Sequence, residues 1–481
     1  MSGTKIIVIA ILVLAGSCRM APPQQLPELK PLPAAFTEQP GDSSIAAIHW
    51  KQYFNDSRLV ALIDSAISNN QDMLIAFQHL EQAKARIGYA RAALAPEVRA
   101  TITASGDHYG KYTMTGVGNF DTNKSQNIEE KQKTAEGFTP DYFIGLRSSW
   151  EVDIWGKLKD QKKAALSSYL AAGEGRKLVQ TELVATIANL YYDLLALDNE
   201  LKIIHKNTFL QESALEVVKV QKEAGRATEL AVQQFEAQLL RTRALAYGVL
   251  QQVKATENEL NFLSGRYAAA VQRDSIRMLD VSGVRLPVGA PLTLLENRAD
   301  IREAKLQWDA AAYQTSAAGK AFLPALQLTP YAGLNAFRAS VLFDPGSVVY
   351  GIFGGLTAPI FNRQQLKADR AITVAAQKIA ILEYQKRLLN AFREITTLHS
   401  AVENVKQAYE IKQQEVALLN KAVNTARELY YTGYANYLEV ISAQRGVLDA
   451  ELELTGLRRD LLKASVDLYR ALGGGWREAT N

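Results

Sequence analysis

Two stretches of this chain, 157–222 and 363–431, contain no proline and carry apolar residues at helical spacing throughout. At 1.5 Å per residue each makes a helix ~100 Å long, more than an ordinary core covers, so each needs lateral partners. Each is soon followed by a glycine, Gly225 or Gly433, and then by a shorter helical stretch, about 226–264 and 434–472. Glycine adopts the positive φ that reverses a chain, so the pattern predicts two helical hairpins, 157–264 and 363–472, turning at Gly225 and Gly433.

The pattern is a duplication. Residues 72–96 match 300–324 from Asp to Pro, and 225–265 match 433–473 from Gly to Gly. The offset falls from 228 in the first pair to 208 in the second, so about twenty extra residues lie in the first copy. The polar, glycine- and asparagine-rich stretch 106–141 reads as the loop that holds them. Shorter helices near 57–94 and 297–322 precede each proline. The repeats run over 46–285 and 286–481.

Strict alternation follows each proline. Val98, Ala100, Ile102 and Ala104 alternate with Arg99, Thr101, Thr103 and Ser105. Period two resumes from Tyr142 to Ile154, and returns in the second copy at 326–334 and 348–360. These are four strands in two β-hairpins, 97–155 and 325–361, each with one apolar and one polar face. Four such strands leave unpaired edges, whereas outer-membrane barrels close with about eight or more, apolar outside and polar within. Three copies pooling their strands give a 12-stranded barrel, and the same pooling gathers twelve helical columns.

At the N-terminus Lys5 precedes an apolar run, 6–14, and then Ala15-Gly16-Ser17-Cys18. That is a secretory signal over 1–17, too short for a spanning helix. Cys18 is the sole cysteine, which excludes an intrachain disulfide and a cysteine-rich zinc site. The segment resembles a bacterial lipoprotein lipobox, although Ala15 stands where leucine is usual. The resemblance implies cleavage before Cys18 and a covalent lipid on it; the alternative is an ordinary signal with a chance cysteine. Arg19, in place of the aspartate of lipoproteins kept at the inner membrane, favours the outer membrane. Residues 18–45 are proline-rich and extended, a tether from the lipid to the fold. The formal net charge of +4 is too mild to imply nucleic acid.

Further residues carry a wider likeness: His49-Trp50-x-x-Tyr53-Phe54-x-Asp56, Trp150-Glu151-x-Asp153-Ile154-Trp155-Gly156, Leu292-x-Leu294-Leu295-x-x-Arg298-x-Asp300-Ile301 and Tyr431-x-Gly433-x-x-x-Tyr437-Leu438-x-Val440 with Ala443-Gln444-Arg445. The last is Leu468-Tyr469-Arg470-Ala471-Leu472-Gly473-Gly474-Gly475-Trp476. In order and doubled spacing the chain resembles the TolC-like outer membrane factors, especially the efflux lipoproteins of tripartite multidrug systems with RND-type pumps. Ala299 departs from that pattern, where proline is usual.

The resemblance implies a mixed α and β channel-tunnel, a homotrimer with a 12-stranded outer-membrane β-barrel continued by a periplasmic α-helical barrel. It would be a passive duct for small toxic compounds, joined by a periplasmic adaptor to an inner-membrane RND-type pump. The resemblance also places a tunnel-closing gate on the second hairpin, at Tyr430, Glu439, Ser442 and Arg445. Many relatives have aspartate where this chain has Ser442, and Glu439, one turn earlier, can replace it. The plainer reading of Glu439 and Arg445 is a pair of solvated helix-face charges. Adaptor docking is expected at the turns, Gly225-Arg226-Ala227-Thr228 and Gly433-Tyr434-Ala435-Asn436.

Nothing in the sequence forms a catalytic constellation, and no cofactor beyond the lipid is expected. His49, His79, His108, His205 and His399 lack metal-ligand spacing. Gly116-Val117-Gly118 reads as external loop, and the 473–475 glycines as a helix C-cap. Trp50, Trp150, Trp155 and Trp476 read as packing or interfacial anchors, with Trp150 and Trp155 suited to a membrane-boundary girdle. A type I secretion conduit for proteins and a pore-less periplasmic coiled coil remain the alternative functions.

Overall fold

The computed structural model describes residues 26–28, 30–31, 48–134, 137–273, 297–359 and 363–477. The signal segment, Cys18 and most of the tether lie outside the described residues. The chain divides into two compact units, one containing 82–169 and 306–381, the other 28–81, 170–305 and 382–481.

The first unit holds a single antiparallel sheet in the order β1 (Glu97–Asp107), β2 (Thr139–Val152), β3 (Ala325–Ala336), β4 (Val348–Thr357). Its register follows the alternation. Ile102 faces Ile144, Ile144 faces Leu334, and Leu334 faces Val348, so one face is apolar across all four strands. On the outer strands those side chains stay uncovered, Ile102 being 79% and Tyr350 81% exposed, whereas Ile144 and Leu334 on the inner strands are half-buried. The opposite face carries Arg99, Arg147 and Thr101, but Phe143, Tyr331, Val349 and Phe353 lie there too; Phe143 is buried, with the Arg147 guanidinium 4.5 Å from its ring centre. Each outer strand has one neighbour, so β1 and β4 leave a row of backbone groups unpaired.

The stretch expected as loop contains a helix. Residues Met114–Lys124 are helical, started by Thr113, whose hydroxyl accepts from Gly116 N. Gly116-Val117-Gly118 therefore sits in a helix between β1 and β2, because a good N-cap outweighs the weak propensity of two glycines.

The second unit is helical. A short helix, α1 (Trp50–Tyr53), leads to α2 (Ser57–Asn69), whose first turn is capped by Asp56 accepting from Arg58 N and Leu59 N. The expected continuous helix over 57–94 is broken. Asn70 takes an extended conformation, and its side chain accepts from Met73 N to start α3 (Gln71–Ala92) while donating to Leu263 O. The long helices are α5 (Lys157–Glu223) and α8 (Arg363–Thr432), counting Met114–Lys124 as α4. Their return partners are α6 (Glu229–Leu263) and α9 (Tyr437–Ala471), and α7 spans Ala299–Lys320. Residues of α3, α5, α7 and α8 are shared between the two units.

The second unit's core packs Leu59 and Ile63 against Ile187, Leu194, Ile301, Ile395 and Leu468. The scattered motifs converge on it. Tyr53 stacks on Tyr469 with ring centres 4.1 Å apart, and Tyr191 donates to Asp56 at 2.6 Å. Burial pushes the Tyr53 hydroxyl up to about 12. Tyr469 donates to Ile48 O and accepts from Gly475 N, tying the segment before α1 to the segment after α9. Buried Arg298 grips Asp300 through two bonds of 3.0 and 2.8 Å, and reaches Glu394 at 2.8 Å and Ala471 O at 2.7 Å. Its neighbouring carboxylates hold its guanidinium above the usual arginine range against the pull of burial.

Replacing Arg298 by alanine leaves buried Asp300 without its cation, while half-buried Glu394 keeps Arg470 at 2.6 Å. Stability is expected to fall by about 3–5 kcal/mol, read as a lower melting temperature of the purified protein; a change below about 1 kcal/mol contradicts the clamp.

Candidate functional site: the hairpin turns

The turns follow from local chemistry. Gly225 has φ of 71° and Gly433 of 83°, in the region glycine enters without steric cost. At the first turn Arg226 N returns to Gln221 O at 2.8 Å; at the second Tyr434 N returns to Leu429 O at 2.9 Å. Both bonds close spent helix ends in the manner of a Schellman cap. The next helix then starts from a side-chain cap: Thr228 accepts from Ala231 N, and Asn436 accepts from Leu438 N and Glu439 N.

The expected docking residues are presented outward in part. Gly225, Arg226, Thr228, Gly433, Tyr434 and Asn436 are exposed, Tyr434 to 86%, whereas Ala227 and Ala435 are half-buried. Lys222 and Glu229 form an ion pair across the first turn.

Glu439, Ser442 and Arg445 lie three residues apart on α9, on one exposed face. Val440, Gln444 and Val447 occupy the buried face of the same helix. Arg445 approaches Asp449 at 3.7 Å, and Glu439 Oε1 accepts from the side-chain Nδ2 of Asn436 at 3.2 Å. Tyr430 is separate from these three. It is half-buried on α8 against the cluster of Leu215, Val218, Phe235 and Val440, and burial raises its hydroxyl pKa. The burial of Tyr430 depends on a neighbouring hairpin and leaves no local signal.

Trp150 lies on the apolar face of β2 and donates to Leu94 O at 3.1 Å; Trp155 is half exposed and donates to Pro324 O at 2.8 Å. Among the described residues no group of three or more His, Cys, Asp and Glu is placed to hold a metal ion. None of the described helices is long and apolar enough to cross a membrane.

A model of the outer membrane efflux protein family matches residues 62–266 and 290–474. The chain belongs to this family. It is an outer-membrane efflux duct, and the family is one of ducts rather than enzymes. Among its relatives is the probable outer membrane lipoprotein SilC of Salmonella typhimurium, 28% identical over 97% of this chain and 98% of the relative. The pyoverdine export outer membrane protein OpmQ of Pseudomonas putida is 30% identical over 92% of each chain. A crystal structure of CusC, 26% identical, covers 95% of this chain and 100% of its own with a TM-score of 0.81. The mixed helical and stranded fold of these outer membrane factors, with four strands per chain, is the fold of this efflux protein.

The turn conformation gives a test. Gly433→Ala places a side chain at positive φ and is expected to weaken the turn by about 1–2 kcal/mol. Gly446→Ala, inside α9 where a new Cβ would meet Leu419 at an ordinary 3.7 Å, is expected to stabilise by about 0.5–1 kcal/mol. Amide exchange over 430–440 checks both, faster in the first and slower in the second.

Proposed function

We propose that three copies of this chain pool their sheets into a 12-stranded barrel and their hairpins into a periplasmic tunnel. The observation that carries the reading is the sheet itself: one largely apolar face, uncovered along its outer strands, and two unpaired edges. Lipid satisfies that face, and β1 of one copy with β4 of the next satisfies the edges, because backbone groups in a bilayer need partners. Trp150 and Trp155, at the end of β2, suit the membrane boundary. Acylation of Cys18 would add a second hold on the outer membrane.

The duct has no energy source of its own, so a periplasmic adaptor would dock on the exposed turns at Gly225–Thr228 and Gly433–Asn436 and join it to an inner-membrane RND-type pump. The relatives' names span a lipoprotein of unstated cargo and a pyoverdine exporter, which suits a permissive duct for small toxic compounds whose choice is made by the pump. The exposed row of Glu439, Ser442 and Arg445 would line the narrow periplasmic end, three symmetry copies of Glu439 forming a carboxylate ring. Tyr430 would brace that helix from behind.

In planar bilayers the purified protein is expected to form channels, and Glu439→Ala to lower the cation-over-anion permeability ratio by about twofold or more. Unchanged selectivity and closure would remove Glu439 from the gate. Photo-cross-linkers at Tyr434 and Arg226 are expected to capture the adaptor, and labels on the sheet are not.

A further inference from the structure

Within the helical unit, near the hairpin turns, a cleft of about 320 Å³ opens among α5, α6, α8 and α9. Its walls include Val218 and Phe235 together with Gln211, Gln444 and Arg427. The two glutamines stand at seam positions. Gln211 precedes buried Leu215 and Val218 by four and seven residues, and Gln444 falls between buried Val440 and Val447.

Gln211 is 2% exposed and Gln444 6% exposed. Neither amide atom of Gln211 nor the Oε1 of Gln444 has a hydrogen-bond partner. Buried amides are almost always paired, and leaving one unpaired costs its desolvation, while a leucine at the same place would avoid that cost. Two such side chains from different hairpins, meeting one cleft, mark a place built for an occupant that hydrogen-bonds.

The charge around the cleft narrows the occupant. No carboxylate lines it. Lys206 is engaged by Glu451 at 2.9 Å. Arg427 is exposed and forms no ion pair among the described residues; its neighbours one turn away are Val423, Asn424, Tyr430 and Tyr431.

We propose that this cleft binds an amphipathic organic anion carrying a secondary amide. Its carboxylate meets Arg427, its apolar body lies on Val218 and Phe235, and its amide exchanges hydrogen bonds with Gln211 and Gln444. A secondary amide is complementary to the glutamines, offering one N–H to an Oε1 and one carbonyl to an Nε2. The Gln211 amide atoms and the Gln444 Oε1 are sealed from solvent beside the cleft, and rotation about the side-chain torsions is what turns them toward the occupant. The volume falls at the lower end of the ~300–1,000 Å³ typical of small-molecule sites. Because both hairpins contribute walls, an occupant favours the packing in which they stay together.

The probe is N-benzoyl-L-phenylalanine, titrated by calorimetry into the full-length protein in detergent. Saturable binding is expected with a dissociation constant on the order of 0.1 mM, modest for a ligand of that size. Gln211→Leu and Gln444→Leu are each expected to weaken it by about tenfold while raising the melting temperature of the unliganded protein. Arg427→Gln, and the methyl ester of the probe with the wild type, are expected to lose a similar factor. Absence of saturable binding overturns the proposal, as does wild-type affinity in both leucine variants or an ester that binds as tightly as the acid. A fall in melting temperature for both leucine variants, with no binding to the wild type, identifies the amides as water-bonded structural groups and equally overturns it.

Discussion

A four-stranded antiparallel sheet with both edges open, and one face made of Val, Ile, Leu and Tyr, is the constraint on which the rest depends. In water such a sheet exposes a large apolar surface and two templates for strand addition, the combination that favours aggregation. In a bilayer the apolar face becomes an asset and the edges become the means of closure. Duplication supplies two hairpins per chain, and repetition of the chain supplies the remainder.

The helices answer a different requirement. Helices of 67 and 70 residues need continuous lateral packing, and each is matched by a return helix of 35 residues. Glycine at positive φ followed by Thr228 or Asn436 reverses the chain within a few residues while satisfying the exposed backbone groups. The helical unit is then closed by the Tyr53–Tyr469 stack and the Arg298 clamp, which join the segment before α2 and the start of α7 to the end of α9.

Periodicity and glycine made much of this legible beforehand. The strands, the hairpin turns and the second-copy match were all readable because period, length and turn chemistry are local. The break at Asn70 was not, since its side chain acts as a cap inside an otherwise apolar run. Over 114–124 two glycines hide, in the sequence, a helix that Thr113 starts. The Arg298–Glu394 and Tyr191–Asp56 bonds join residues 96 and 135 positions apart, and no local pattern announces them. Of the gate, the common face of Glu439, Ser442 and Arg445 was a matter of helical arithmetic, whereas the packing of Tyr430 depended on the other hairpin.

The central claim is that the open edges of one sheet are closed by other copies. Cysteines placed at Thr101 in β1 and Gly351 in β4, in a Cys18→Ala background, are to be oxidised in the membrane and the products sized under denaturing conditions. The account predicts cross-linked species ending at three chains, with little above and with loss of the ladder when either cysteine is absent. A chain that remains uncrosslinked while folded in the outer membrane, or a ladder that closes at another number, would contradict it.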